Sequence, residues 1–304
     1  PQIPDRDGLV QSVKTALEHF DKCFDNQIKD VNFYRHVKEI MEQGRKFRSM
    51  TQDSVGYCEV MAAHATDFME YTQILMEDDV SGGDFIGVMK SHIQSATFNK
   101  SSAARLTKGY CDMLATLKNI VNELEDYIVR SNVERKPEKK IEKEVPEIQE
   151  PQASPWVTVG NSILTGVNLA ASNINDLINA VGTSVVGDRY ENELQRINQI
   201  IEDVNIVMTE LVILIDKFSC FDEFFKLESE DITKVVEKYS ADANNATFRM
   251  TRMKGTAMKK QWCKIHQVFD DYVNSIKPLL EAKTGQTIDD VPVRGRNRSI
   301  SSLF

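Results

Sequence analysis

The chain has 304 residues, of which 41% are hydrophobic and 27% are charged, and its formal net charge is −9 at pH 7. This composition is ordinary for a globular protein and excludes global disorder. The acidic balance excludes nucleic-acid binding by bulk charge attraction, so no nucleic-acid partner is expected. No run of about 18 uninterrupted apolar residues occurs, so we expect no permanent membrane span.

The first ten residues, PQIPDRDGLV, lack the basic-then-apolar pattern of a signal peptide. The five cysteines are scattered and form no CxxC pair, which argues against a disulfide framework. We therefore expect a soluble protein whose thiols are free and pack in the core as small hydrophobic side chains.

Proline is absent between Asp5 and Lys136 and again between Trp156 and Lys277. Because proline inside a helix costs about 3 kcal/mol, two tracts of this length permit very long helices. Apolar residues recur at alternating steps of three and four, which is the pattern of helices packed side by side at shallow angles. We call each such row of apolar residues a seam. The seams cover 58–75, 106–127, 194–218 and 258–279, with a shorter one over 13–24.

The pattern predicts an all-α fold: an elongated bundle of about five long antiparallel helices. The predicted helices cover 6–43, 47–78, 84–132, 188–239 and 243–284. Strand-like alternation occurs only at 156–159 and 183–186. In this division, residues 1–131 supply the first helices and residues 188–284 complete the same bundle.

Two segments have the composition of solvated chain. Residues 132–155 hold eleven charged residues and four prolines, which predicts a linker without a core of its own. Residues 285–304 end in arginines set among serines and are predicted to form a disordered tail. Within that tail, Ser299 follows a basic pattern typical of kinase substrates, and phosphorylation there would reverse much of the local charge.

Residues 156–187 form the most unusual segment, because thirty-two residues carry a single charge, Asp176. On a helix the segment has an apolar face and a second face that is polar but uncharged. The apolar face consists of Ile163, Val167, Ala170, Ile174, Leu177 and Val181. The polar face consists of Asn161, Thr165, Asn168, Ser172, Asn175 and Asn179. Such a helix can turn one side to lipid and the other to water or to neighbouring helices without burying a charge. The alternative is that this segment is one more helix of the bundle.

A basic cluster lies between positions 243 and 269, a stretch that contains no acidic residue. It consists of Arg249, Arg252, Lys254, Lys259, Lys260 and Lys264. Clusters of this size attract anionic lipid headgroups, at about 1 kcal/mol per charge near a membrane surface. The alternative is a solvated face that offsets the acidic run over 222–231.

No pattern typical of a hydrolase, a nucleotide-binding loop or a zinc site occurs in the sequence. The five histidines are isolated in the sequence, and His64 and Cys58 are six residues apart, on different faces of one helix. We therefore expect no enzyme activity, no catalytic residue, no metal and no cofactor.

In its order of elements, the chain resembles the α-helical pore-forming toxins, which include cytolysin A, the haemolysin BL and non-haemolytic enterotoxin components, and the Xax-type toxins. The resemblance rests on long helices up to position 132, the uncharged segment 156–187, and the long helix over 188–239. It implies that 156–187 is a tongue or hairpin that packs on the bundle first and inserts into a membrane on oligomerisation. The charged linker 132–155 and the arginine–serine tail depart from that family's pattern.

The hypothesis is therefore a protein that binds membranes, oligomerises and permeabilises them. Trp156 would anchor the segment at the interface, the apolar face would meet lipid, and the polar face would line a lumen or contact protomers. Expected partners are membrane lipid and either further copies of the chain or a partner toxin subunit. The protein would be cytoplasmic or non-classically secreted, and membrane-associated afterwards. The alternative is a non-enzymatic cytosolic scaffold that binds proteins or membrane surfaces and carries a phosphorylatable tail.

Overall fold

The computed structural model describes residues 6–25, 31–133, 188–240 and 247–281. Five helices account for almost all of these residues: α1 (Arg6–Asp25), α2 (Val31–Glu77), α3 (Gly82–Val133), α4 (Asp188–Ser240) and α5 (Arg252–Glu281). Two short strands, β1 (Val80–Ser81) and β2 (Thr247–Phe248), lie in the connections between helices. The predicted all-α, elongated, antiparallel bundle is confirmed.

Side-chain contacts give the direction of each helix. Phe33 packs on Tyr127 and Phe47 on Tyr110, so α2 and α3 run antiparallel. Helices α3 and α4 run antiparallel as well, and this pair makes the most extensive contact in the bundle. At 53 residues, α4 is about 80 Å long for a rise of 1.5 Å per residue. The described helices therefore form a rod in which α2, α3 and α4 run along the whole length.

The two shorter helices share the fourth position of the rod. Helix α5 packs along the second half of α2, where Phe68 stacks on Trp262 with ring centroids 4.5 Å apart. Helix α1 continues beside the first half of α2, where Phe20 packs on Phe47. Arg6, at the start of α1, binds Asp271 of α5 at 2.6 Å, so α1 begins beside α5 and the two helices overlap over the last turns of α5.

The strands join the two connections at one end of the rod, which we call the ladder end. Val80 pairs with Phe248 and Ser81 with Thr247 in antiparallel register. The amide of Met250 also donates a hydrogen bond to the carbonyl of Leu75, at 2.7 Å. Helix α3 starts directly after β1, and the Ser81 hydroxyl caps it by accepting the amide hydrogen of Asp84 at 3.1 Å. The ladder thus ties the α2–α3 connection to the α4–α5 connection.

The predicted seams are buried almost throughout. Tyr110, Val204 and Leu211 have no measurable exposure, and a few members, such as Leu194, Tyr127 and Ile215, are partly exposed. The predicted helices over 84–132 and 188–239 agree with α3 and α4 to within two residues.

The predicted break between the first two helices is wrong. We predicted it at positions 44–46, but α2 passes through these residues without interruption, and the break lies between Asp25 and Val31. Gly44 has a packing role instead, because the ring of Phe24 in α1 occupies the space that a side chain there would need. The sequence pattern also does not predict β1 and β2, and it places the start of the last helix nine residues too early. The two segments with strand-like alternation lie outside the described residues.

Two glycines of α2 provide a test of this packing. A Cβ atom at Gly44 would lie 2.6 Å from Cζ of Phe24 and 3.2 Å from Cδ1 of the buried Phe20. We expect Gly44→Ala to lower the free energy of unfolding by about 1–2 kcal/mol, because the rings must move. Urea unfolding followed by circular dichroism measures this change.

Gly56→Ala is the matched control, because no atom lies within 4 Å of a Cβ atom at this position of the same helix. It should raise the free energy of unfolding by about 0.5–1 kcal/mol, the helix-propensity gain of alanine over glycine. An equal gain in stability for both variants would show that α1 does not pack on Gly44.

Candidate functional site

The uncharged segment 156–187 lies outside the described residues, and so do all its predicted inserting and lumen-facing residues and Ser299. The structure does describe the two helices that flank it. Helix α3 ends at Val133 and α4 begins at Asp188, both at the end of the rod opposite the ladder. Residues 134–187 therefore connect two helices that are neighbours in the bundle.

The core continues up to this connection. Leu124 and Ile128 of α3 are buried, as are Ile197 and Ile201 of α4. These residues belong to one continuous apolar cluster with the rest of the seams. The two helices are thus packed against each other close to the points from which residues 134–187 continue.

The predicted basic cluster lies at the ladder end, where β2 leads into α5. All six of its side chains are exposed. Arg249 lies 3.7 Å from a carboxylate oxygen of Asp79, and Lys259 donates a hydrogen bond to the Oε1 atom of Gln73 at 3.0 Å. The structure thus places the basic cluster and the connection to 156–187 at opposite ends of the rod. Both regions can meet one flat membrane only when the rod lies along it.

A buried polar cluster, which the sequence did not reveal, lies in the ladder half of the core. His64 of α2 and His92 of α3 are 6% and 7% exposed, and their ring centroids are 5.4 Å apart. The Nε2 atom of His64 lies 3.2 Å from Oε1 of Glu228 in α4, whose side chain is 8% exposed. The rings of Phe68 and Trp262 complete the wall around His64 and His92. We call His64, His92 and Glu228 the histidine cluster.

Burial changes the proton affinities in the histidine cluster. It lowers the pKa of His92 to about 4, an effect strengthened by the neighbouring His64 and opposed by Asp67. Burial also raises the pKa of Glu228 above its ordinary value, while the hydrogen bond from His64 acts in the opposite direction. Both shifts favour the neutral form of the group concerned, as expected where water is excluded.

Two further histidines bind carboxylates on a neighbouring helix. His19 of α1 lies 2.7 Å from Asp203 of α4, and His36 of α2 lies 2.9 Å from Glu123 of α3. The Asp203 side chain is only 3% exposed, whereas that of Glu123 is 54% exposed. These two histidines are isolated in the sequence, but the fold brings each one beside an acid from another helix.

The cysteines only partly follow the expectation of core packing. Cys23 and Cys58 are buried, and burial raises the pKa of both thiols well above its ordinary value. Cys111, Cys220 and Cys263 are exposed, so the expectation is wrong for these three. Cys111 and Cys263 each follow a buried seam residue, Tyr110 and Trp262, and therefore point away from the core.

Within 6–25, 31–133, 188–240 and 247–281, no three His, Cys, Asp or Glu side chains are grouped so as to hold a metal ion. None of the helices described is both long and apolar enough to cross a bilayer.

The architecture is similar to that of solved components of tripartite α-pore-forming toxins. SmhA from Serratia marcescens matches with a TM-score of 0.43 and 10% sequence identity, over 92% of this chain and 93% of that chain. AhlC from Aeromonas hydrophila matches with a TM-score of 0.31 and 9% identity, over 90% and 95%. The SmhB pore of Serratia marcescens matches with a TM-score of 0.28 and 11% identity, over 91% and 86%. No family model matches the chain, and no curated protein gives a significant match.

The coupling inside the histidine cluster is measurable. His64→Leu leaves Glu228 buried without its partner, so we expect it to lower the free energy of unfolding at pH 7 by about 3 kcal/mol. Adding Glu228→Leu removes the isolated carboxyl group and should restore most of this loss. Urea unfolding of the two single variants and the double variant gives the coupling energy.

His36→Leu is the matched control, because its partner Glu123 remains hydrated at 54% exposure. We expect its loss to stay below about 1 kcal/mol. A double variant no more stable than His64→Leu would show that the carboxyl of Glu228 does not depend on His64.

Proposed function

We propose that this protein permeabilises membranes: it binds a bilayer, oligomerises there and inserts residues 156–187. Membrane lipid and either further copies of the chain or a partner subunit would be its partners. The observation that carries the proposal is the placement of a long uncharged segment between two helices, α3 and α4, that pack closely against each other. The charged helices around it make this lack of charge distinctive.

The arrangement supports insertion because the described helices bury their seams in one another. The apolar cluster links α1 through α5 and reaches Ile128 and Ile197, near the ends of α3 and α4 from which residues 134–187 continue. A segment attached at one end of such a bundle is able to change its surroundings while α3 and α4 remain in contact. An internal core helix, by contrast, would expose the seams of its neighbours on leaving.

The energetics of the segment fit a two-state change. In solution, burial against protein stabilises its apolar face, which includes Ile163, Val167 and Ile174, and contact with lipid in a membrane removes the same area from water. Its polar face carries amides and hydroxyls, which tolerate a water-filled lumen or a contact between protomers. Neither face carries a charged residue, and the single charge of the segment, Asp176, lies between the two faces.

The core of the described bundle also favours rearrangement. Several buried polar atoms have no hydrogen-bond partner, including both side-chain atoms of Asn99, one carboxylate oxygen of Asp203 and one of Glu228. Each such group costs about 1–3 kcal/mol relative to a paired one. Opening such a bundle therefore costs less free energy than opening one with a purely apolar core.

The proposal predicts that charge on the apolar face abolishes activity. We expect the triple substitution of Ile163, Val167 and Ile174 to Asp to reduce dye release from mixed-lipid liposomes to the background level. Each charged side chain at the centre of a bilayer helix costs about 2.5–3.5 kcal/mol, which is prohibitive when three are added.

Substitution of Asn161, Asn168 and Asn175 to Asp is the matched control, since it adds the same three charges to the same segment on the opposite face. Dye release should persist, because these positions are assigned to water or to protomer contacts. Unchanged release by the Ile163/Val167/Ile174 variant would exclude this segment as the inserting element. An equal loss of dye release in both variants would contradict the assignment of one face to lipid and the other to water or protomers.

The basic cluster is assigned to the initial contact with anionic headgroups, with the rod lying along the membrane. Substitution of Lys259, Lys260 and Lys264 to Glu should weaken binding to phosphatidylserine-containing vesicles by at least about a hundredfold at low salt, because removal of the three positive charges alone costs about 3 kcal/mol and the added carboxylates repel the headgroups. Vesicle cosedimentation at several salt concentrations measures this loss.

The control variant reverses three exposed lysines on other helices, Lys90, Lys118 and Lys226, and so has the same net charge. It should bind more tightly than the basic-cluster variant, since its α5 surface is intact. If the two variants bind alike, only the net charge matters and the basic cluster is an ordinary solvated face.

A further inference from the structure

His92 occupies an aromatic enclosure between two helices that the bundle must hold together. It belongs to α3, and its ring lies 4.9 Å from Phe68 and 6.2 Å from Tyr71 of α2, measured between centroids. Its third ring neighbour is His64, also of α2, at 5.4 Å. An imidazole in this enclosure is well packed when neutral, and a protonated ring there loses the water that would hydrate its charge.

The charged and titratable groups around His92 come from two helices. Helix α2 contributes His64, the exposed Asp67 and the phenol of Tyr71. Helix α4 contributes Glu228, which reaches His64 rather than His92. From α5, the indole of Trp262 closes the enclosure on the His64 side. The carboxyl group of Glu228 thus binds His64 and not His92. Asp67 is the anion that opposes the lowering of the His92 pKa.

We propose that the histidine cluster is a proton-sensitive latch, which holds α3 against α2 while His92 is neutral and loosens this contact when the solution becomes mildly acidic. The relevant opening need only give the His92 ring access to water. Because α3 leads directly into residues 134–187, opening here affects the helix that carries the uncharged segment. That link to insertion rests on the proposed function, whereas the latch itself does not.

The direction of the effect follows from the protonation of His92 in the two states. In the closed bundle its pKa is lowered to about 4, whereas in an opened state it returns to the ordinary value of about 6.5. Between these values the opened state binds more protons than the closed one. The closed state is therefore fully favoured above about pH 6.5 and becomes progressively less favoured as the pH falls toward 4.

Glu228 acts in the opposite direction and limits the latch. Burial raises its pKa, so the closed bundle holds a proton on this carboxyl more readily than an opened one. Acidification therefore favours the closed state through Glu228 while it disfavours it through His92. Glu228→Gln removes this opposition, so the loss of stability on acidification should be steeper in that variant.

The first test measures the latch without membranes, in the full-length protein labelled at its histidines. We expect the His92 ring signal, assigned by its absence in His92→Phe, to stay in the neutral form to well below pH 6 while the fold persists. A His92 signal that titrates near pH 6.5 in the folded protein overturns the proposal, whatever the variants show.

The second test compares urea unfolding at pH 7 and pH 5. From the two pKa values, acidification from pH 7 to pH 5 should raise the equilibrium constant for unfolding about twentyfold more in the natural protein than in His92→Phe, whose ring cannot be protonated. His266→Gln, a half-buried histidine of α5 outside the cluster, should behave like the natural protein. Equal pH dependence of the natural protein and His92→Phe overturns the proposal.

Dye release at pH 5 and pH 7 then separates the latch from the proposed function. If the unfolding data support the latch and no dye is released at either pH, the permeabilising function fails and the latch stands. Release that is equal at both pH values while His92 titrates normally contradicts the latch alone.

Discussion

The contact between two helix pairs, made largely by aromatic rings, is the interaction on which the rest of the structure depends. The closest backbone packing occurs within α3/α4 and within α2/α5, and large side chains fill the space between these pairs. Tyr57 of α2 contacts Phe218 and Phe221 of α4 and Phe269 of α5, with centroids 6.2–6.4 Å apart. Rings bury more area per residue than aliphatic side chains, so a few of them hold the pairs together. The two connections between the pairs are themselves joined by the β1–β2 ladder.

Polar groups interrupt this aromatic contact at the level where α2, α3 and α4 meet. Within the histidine cluster, one oxygen of Glu228 binds His64 and the other has no hydrogen-bond partner. Both side-chain polar atoms of the buried Asn99 of α3, outside the cluster, also lack a partner. Buried polar groups are tolerated at a cost of stability, and they make one helix arrangement less dominant over its alternatives. For a bundle proposed to rearrange at a membrane, a core of this kind is suited to opening at defined levels rather than unfolding throughout.

The length of the rod separates the two regions that the amino-acid pattern assigns to membrane contact. The exposed basic residues surround the ladder end, and the connection to 156–187 leaves from the other end, about 70–80 Å away for helices of 47–53 residues. A rod lying along the membrane brings both to the headgroups, whereas an upright rod presents one of them. A mechanism that uses both regions at once therefore requires the rod to lie along the membrane.

The sequence by itself determined the all-α class, the extent of α3 and α4, and the seams, because each depends on local properties: proline placement and apolar residues at helical spacing. Residues such as Tyr110, Val204 and Phe269 could be assigned to the core for this reason. Only the tertiary structure decided that Gly44 lies under Phe24 within a continuous helix, and that two-residue strands join distant connections. It also decided that His64, His92 and Glu228 meet. These features are pairings between residues 20 to more than 160 positions apart, and local periodicity carries no information about which helix faces which.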